Sequence, residues 1–297
     1  MSAKQISNDQ YGASEGEEEG VNLFRSVFKK YKKRVPQPDF SNVIDIRESQ
    51  NLEKYGLESR FLFDNLSVED QKCASRLGLR PLPEWRVCQF RSRPGLYLLP
   101  GIMLKSHSAE WLERSLNYAL APNTTNLTAH GTEMTDKSLR WTTLGVEYDW
   151  DTKEYPKSGR ELPEELRSLA KLVSDGLRLG EMRADAAIVN YYPPKATLSP
   201  HVDRSERCDA PLISMSIGQT AVYLTGGMSL EEEPIPIWLR SGDILVMHAA
   251  QRLVYHAIPC VAVKSQLERF DDVENKRVRD YLNSSRVNIT IRQVNPH

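Results

Sequence analysis

The chain has 297 residues, 40% of them hydrophobic and 27% charged, and its 39 Lys and Arg against 40 Asp and Glu leave a net charge of −1. These values suit a soluble globular protein with a sizeable core; they exclude a uniformly basic mode of nucleic-acid binding but leave room for a local basic face. No apolar run approaches the roughly 18 residues needed to span a bilayer, no secretory signal opens the chain, and Cys73, Cys88, Cys208 and Cys260 show no CxxC spacing, as expected of reduced intracellular thiols.

Residues 1–20 hold one Lys and five acids, and their polar, acidic composition predicts a disordered leader. Residues 21–34 reverse the sign, with Arg25, Lys29, Lys30, Lys32, Lys33 and Arg34 and no acid. Phe24, Val27, Phe28 and Tyr31 fall at helical spacing, so one apolar stripe faces a basic one. Such a helix docks on the body with a solvated lysine face, contacts nucleic acid, or targets the chain. Pro36 and Pro38 end it. Residues 71–93 carry six bases and one acid around Trp85 and Phe90. That mixture suits phosphate and base contacts, or equally surface arginines around a buried Trp. The stretch 21–94 reads as a basic, helical N-terminal extension.

From residue 95 the pattern changes. Leu96–Leu99 reads as a strand and Pro100-Gly101 as a turn. Helices are expected over 108–121 and 162–179. After residue 185 short strands follow one another, over 186–192, 212–217, 221–225, 235–239, 243–248, 257–263 and 287–294, with turn residues between them. Many short strands without intervening helices argue for a β-sandwich, jelly roll or barrel.

Three features of this half carry chemistry. His201-Val202-Asp203 follows Pro200, and in extended backbone residues two apart share a side, so an imidazole and a carboxylate point together. His256 comes much later, at the mouth of an expected strand. Two histidines and one carboxylate can bind one face of an octahedral metal and leave three positions open, which suits non-haem Fe(II) oxygen chemistry. In Arg286–Arg292, alternation puts Arg286, Asn288, Thr290 and Arg292 on one face and Val287, Ile289 and Ile291 on the other. The polar face is either solvent-exposed or lines a pocket in which arginines hold a dicarboxylate.

The joint order Asn190-Tyr191-Tyr192, His201-Val202-Asp203, Gly226-Gly227, Ser241-Gly242-Asp243, Arg252-Leu253 with His256, and Arg286 with Asn288 and Arg292 resembles the AlkB-type Fe(II)/2-oxoglutarate dioxygenases. Phe28-Lys29-Lys30-Tyr31, Gly78-Leu79-Arg80-Pro81, the run Leu139–Gly145 and Tyr148-Asp149-Trp150-Asp151 extend the resemblance over roughly 22–294, toward the eukaryotic first-homologue branch.

The resemblance implies an α+β protein: a double-stranded β-helix (jelly-roll) barrel with flanking helices. Its dioxygenase domain would span 95–297, with an aromatic nucleotide lid around 139–155 and a barrel core over 186–297. It implies Fe(II) on His201, Asp203 and His256, and 2-oxoglutarate on Asn190, Tyr192 and Arg286, with Asn288 and Arg292 completing the pocket. Trp141 and Tyr148 are candidates for the lid over a flipped base, or ordinary aromatic core. The activity implied is oxidative demethylation or methyl hydroxylation of a base. The substrate would be methylated adenine or 5-methylcytosine in tRNA, N6-methyladenine in DNA, or both. A nucleic-acid partner and no membrane are expected, with the protein in the cytoplasm or nucleus, or in mitochondria as for some family members. Two departures bear on substrate preference: Arg204-Ser205-Glu206 stands where the bacterial repair enzyme has a base-contacting acid, and an acidic run, Glu231-Glu232-Glu233, follows Gly226-Gly227. The rival readings are a protein-directed dioxygenase on the same barrel and a non-catalytic binding module.

Overall fold

The computed structural model describes residues 22–48, 53–62, 67–129 and 138–296. The acidic leader lies outside them. Two antiparallel sheets form the body. The larger runs β1 (Leu57–Phe61), β2 (Arg86–Phe90), β3 (Leu96–Leu99), β10 (Ile244–Met247), β7 (Leu212–Gly218), β12 (Arg286–Arg292), β5 (Ala186–Tyr192) and β4 (Trp141–Gly145). The smaller runs β6 (Leu198–His201), β11 (His256–Val261), β8 (Ala221–Thr225) and β9 (Ile235–Leu239). Face to face, the sheets make the jelly roll, and Leu96, Leu98, Leu245 and Met247 of one meet Tyr223, Ile237, Leu239 and Ile258 of the other.

The outer face of the large sheet is covered by helices α2 (Val68–Arg76), α3 (Ser108–Tyr118), α4 (Glu164–Leu177) and α5 (Lys276–Leu282). Helix α4 shows why these residues make a helix. Pro163 precedes its first turn, Glu164 and Glu165 complement the helix dipole, and Leu166, Leu169, Ala170, Leu172 and Val173 form its buried stripe. Helix α5 packs against α3 and β7. The charged 267–281 segment, with α5 on the outer face, therefore does not cover the barrel interior.

Helix α1 (Leu23–Lys32) takes the docked arrangement. Asn22 caps it by accepting from the Arg25 amide at 2.8 Å, and Lys29, Lys30 and Lys32 sit in the last turn. Phe24, Phe28 and Tyr31 are buried against Val222, Leu224, Trp238, Ala257 and Cys260 of the small sheet. A side chain at Gly226 would meet the Phe24 ring at 2.6 Å, which is why glycine stands there.

The expected helical extension over 21–94 is corrected in one respect. It holds two strands as well as helices: β1 and β2 extend the large sheet, with Leu57 opposite Phe90. Val87, Cys88 and Phe90 are buried, so β2 is held by packing, and its exposed arginines mask the pattern. Trp85 and Phe90 are fully buried, and the Trp85 indole donates to the Arg80 carbonyl at 2.7 Å. They are core residues, not base-stacking platforms. Among the described residues no helix is long and apolar enough to cross a membrane.

Candidate metal and cosubstrate site

Strand pairing assembles the site. His201 on β6 lies directly opposite His256 on β11, and their ring centroids are 4.2 Å apart. Asp203 follows two residues after His201 and turns its carboxylate between them: Oδ1 is 4.0 Å from His201 Nε2 and Oδ2 is 3.9 Å from His256 Nε2. One ligand atom from each residue lies within 4.8 Å of the others, the spacing of donors around a single ion.

The backbone sets the ring orientations. His201 Nδ1 pairs with the Ser199 carbonyl at 2.9 Å, and His256 Nδ1 with the Val254 carbonyl at 3.3 Å. A carbonyl only accepts, so each Nδ1 carries the proton and each Nε2 presents its lone pair to the centre. Burial, reinforced by His256, pushes the His201 imidazole down to about 4, so it is neutral at pH 7. Burial alone would raise Asp203, but the positive field of Arg292 and its neighbours holds it down at about 2. Two imidazoles that present Nε2 and one carboxylate are the donor set of a two-histidine, one-carboxylate iron site.

Behind the triad lies a small cavity, lined by both histidines and by Asn190, Tyr192, Arg286 and Arg292. Its floor is the inner face of the large sheet, where register aligns Trp141, Asn190, Asn288 and Ser216 in one row, and places Tyr192 beside Arg286 in the next. Arg286 is 1% exposed. Its Nη2 donates to Ser216 Oγ at 2.9 Å and its guanidinium lies 5.1 Å from the Tyr192 ring centroid. Among the described residues its Nε and Nη1 are buried without a well-formed hydrogen bond, and the neighbouring Tyr192 phenol offsets only part of the cost of burying the cation. A buried cation with two poorly matched donors is costly unless an anion meets it, and a carboxylate has the matching fork geometry. The residues present therefore fit a dicarboxylate such as 2-oxoglutarate behind a metal.

The other expected residues divide. Asn190 lines the cavity. Asn288 lines it too, but both its amide hydrogens are engaged, by Ser214 Oγ at 2.7 Å and the Met215 carbonyl at 3.0 Å. It braces β12 against β7. Arg292 reaches toward the metal ligands: its Nη1 donates to Glu206 at 2.7 Å and its Nη2 stands 3.7 Å from Asp203 Oδ2. Ser241-Gly242-Asp243 is architectural, with buried Asp243 accepting from the Gly101 and Arg240 amides and from Arg47.

At the edge of the large sheet, beside Asn190, aromatic rings gather. Trp141 packs on Trp150 at 4.5 Å, Trp150 on Tyr148 at 4.9 Å and Tyr148 on Tyr155 at 5.0 Å. Tyr148 is half-buried. Burial pushes its phenol up, opposed by Ser205 and reinforced by the charge of Asp203. Trp150 and Tyr155, absent from the expected site residues, belong to this group; Tyr223, on the small sheet, instead lines the cavity with its ring centroid 6.0 Å from that of His256. Trp150 stood in the Tyr148-Asp149-Trp150 run; Tyr155 gave no periodic signal.

Comparison with known proteins agrees with this geometry. The nucleic acid dioxygenase ALKBH1 of Homo sapiens is 30% identical over 93% of this chain and 85% of its own length. The tRNA demethylase abh1 of Schizosaccharomyces pombe is 30% identical over 95% of this chain and 98% of its own. Among solved structures, OsALKBH1 matches with a TM-score of 0.52 at 20% identity, covering 68% of this chain and 97% of that one, a likeness of fold. The model of the 2OG-Fe(II) oxygenase superfamily matches residues 95–292, from the start of β3 to the last arginine of β12. With the triad and the buried arginine both inside that span, the chain is a member of the 2OG-Fe(II) oxygenase superfamily, a dioxygenase that uses Fe(II) and 2-oxoglutarate.

Proposed function

We propose that this enzyme oxidises a methyl group on a base of a nucleic acid, with methylated adenine or 5-methylcytosine in tRNA and N6-methyladenine in DNA as its substrate class. The observation that carries the reading is the half-buried pair Tyr148 and Trp150, backed by the buried rings of Trp141 and Tyr155, on a segment tied to the loop after Asp203 by the Ser205 hydroxyl, which donates to the Lys153 carbonyl at 3.0 Å. Bases stack on such rings whatever their sequence. The human relative is named a nucleic acid dioxygenase and the fission yeast relative a tRNA demethylase, which supports a nucleic-acid substrate.

In this reading His201, Asp203 and His256 hold Fe(II), and Arg286 holds the distal carboxylate of 2-oxoglutarate with Tyr192 and Asn190 beside it. The chemistry that metal and cosubstrate would supply when bound is O₂ activation coupled to conversion of 2-oxoglutarate to succinate and CO₂. The remaining work belongs to the protein. Leu198, Leu239, Leu245, Met247 and Ile258 line the same cavity and keep water from it. The aromatic group presents the methyl-bearing base to the triad. A duplex or stem base has to leave its stack to arrive there, at a cost of about a few kcal/mol that favours unpaired or damaged bases. An N-methyl group oxidised at this site departs as formaldehyde and leaves the unmodified base.

The test is mass spectrometry of nucleosides from tRNA and DNA before and after treatment with the purified enzyme, Fe(II) and 2-oxoglutarate. Loss of a methylated nucleoside with matching succinate is expected, and none with His201→Ala. Full turnover of a methylated protein with none on nucleic acid would overturn the substrate reading and favour the protein-directed alternative.

A further inference from the structure

One buried acid next to the metal ligands has no part in the reading above. Glu206 lies three residues after Asp203, and its side chain is fully buried. It bridges two arginines from distant segments: Oε2 accepts from Arg252 Nη2 at 2.9 Å and Oε1 from Arg292 Nη1 at 2.7 Å. Arg252 precedes His256 by four residues, and its Nη1 also reaches the Ala210 carbonyl at 3.4 Å. Glu206 thus ties together the Asp203 loop, the segment leading into His256, and β12.

The distances show what this bridge controls. Arg292 Nη2 stands 3.7 Å from Asp203 Oδ2, beyond a good hydrogen bond, while its Nη1 is held by Glu206. The same Oδ2 faces His256 Nε2 at 3.9 Å, across the space a metal would fill. A guanidinium and a metal therefore face one oxygen. Buried charges need opposite partners, and without the Glu206 carboxylate Asp203 is the acid next within reach of Arg292. A two-point arginine–carboxylate pair would close the ligand to metal.

We propose that Glu206 is a positioning residue for the metal centre: it holds Arg292 back from Asp203 and so keeps that carboxylate open to the ion. The proposal rests on the triad being the metal site, and not on the identity of the substrate.

The experiment is Mn(II) binding to the full chain by calorimetry, without 2-oxoglutarate or substrate. Wild type should bind one ion, and His201→Ala should abolish it; failure of this control would defeat the metal site itself. Glu206→Gln, which keeps the shape and loses the charge, should weaken Mn(II) at least tenfold while circular dichroism reports a folded protein. The double variant Glu206→Gln/Arg292→Gln removes the competing guanidinium and restores the balance of buried charge, so it should recover most of the lost affinity. A purely structural Glu206 predicts the reverse, a further loss on adding the second change. Unaltered binding by Glu206→Gln, or a double variant weaker than the single one, would overturn the proposal. If Glu206→Gln does not fold, the double variant decides: affinity within about threefold of wild type supports the guard, and a tenfold loss refutes it.

Discussion

The two faces of β12 are equally buried and chemically opposite. Val287, Ile289 and Ile291 point outward into the helical layer, while Arg286, Asn288, Thr290 and Arg292 point inward, and all seven residues are buried. In an antiparallel sheet with one wet face, alternation separates core from solvent. Here it separates core from cavity. The apolar face is matched by neighbours already in the fold. The polar face is matched only in part, because Arg286 keeps two donors without a well-formed hydrogen bond among the described residues. Stability is concentrated on one side of the strand and reactivity on the other.

Single substitutions test that division. The largest effect is expected at the triad: His201→Ala or Asp203→Ala should lower turnover by at least about 10³-fold, measured as succinate release, while His201→Ala leaves the thermal midpoint near that of the wild-type apoprotein. On the outer face, Ile289→Ala should destabilise the fold by about 2–5 kcal/mol in denaturant titration, with the Michaelis constant for 2-oxoglutarate little changed. A Michaelis constant moving as far as the stability would break the comparison.

Acid should act on the inner face through His201. The His201 imidazole titrates at about 4 in the fold and near 6.5 when unfolded, so the unfolded chain binds the extra proton first. The apoprotein is then expected to lose roughly 3 kcal/mol as pH falls from about 6.5 to about 4, because each tenfold difference in proton affinity between the two states is worth ~1.36 kcal/mol. His201→Ala should flatten that loss in denaturant titrations across the window. Arg286→Gln should raise the 2-oxoglutarate requirement about 100-fold and at the same time stabilise the apoprotein by about 1–2 kcal/mol, since it removes an incompletely matched buried charge. The smallest effect belongs to the proposed aromatic lid: Trp150→Ala should weaken nucleic-acid substrate about tenfold, in line with the ~1–3 kcal/mol of one base–ring stack. It should leave 2-oxoglutarate binding intact.

The chemistry was more legible in the sequence than the frame around it. The alternation of Arg286–Arg292 and the His201–Asp203 spacing state which side chains share a face, because strand periodicity is local. The meeting of His201 with His256 is a cross-sheet register, and only the shared family order of motifs pointed to it. The strands that went unseen explain themselves. Strand β6 is four residues long and contains Pro200, β1 leaves Glu58, Arg60 and Phe61 exposed, and β4 is buried throughout and so shows no alternation. Glu206 stood in the sequence only as a departure from the bacterial pattern. Its role depends on Arg252 and Arg292 arriving from 46 and 86 residues away, which no local pattern records.

The two poorly matched nitrogens of Arg286 reach beyond catalysis. A ligand that binds only the folded state stabilises it in proportion to the logarithm of its concentration, by about 2.7 kcal/mol at a hundred times its dissociation constant. A fold that keeps an incompletely matched cation in its interior is more fragile without its cosubstrate than with it, and cells clear fragile proteins faster. The lifetime of this enzyme should therefore follow the supply of a central carbon metabolite: a starved cell would lose the protein as well as its activity, and a replete one would accumulate both.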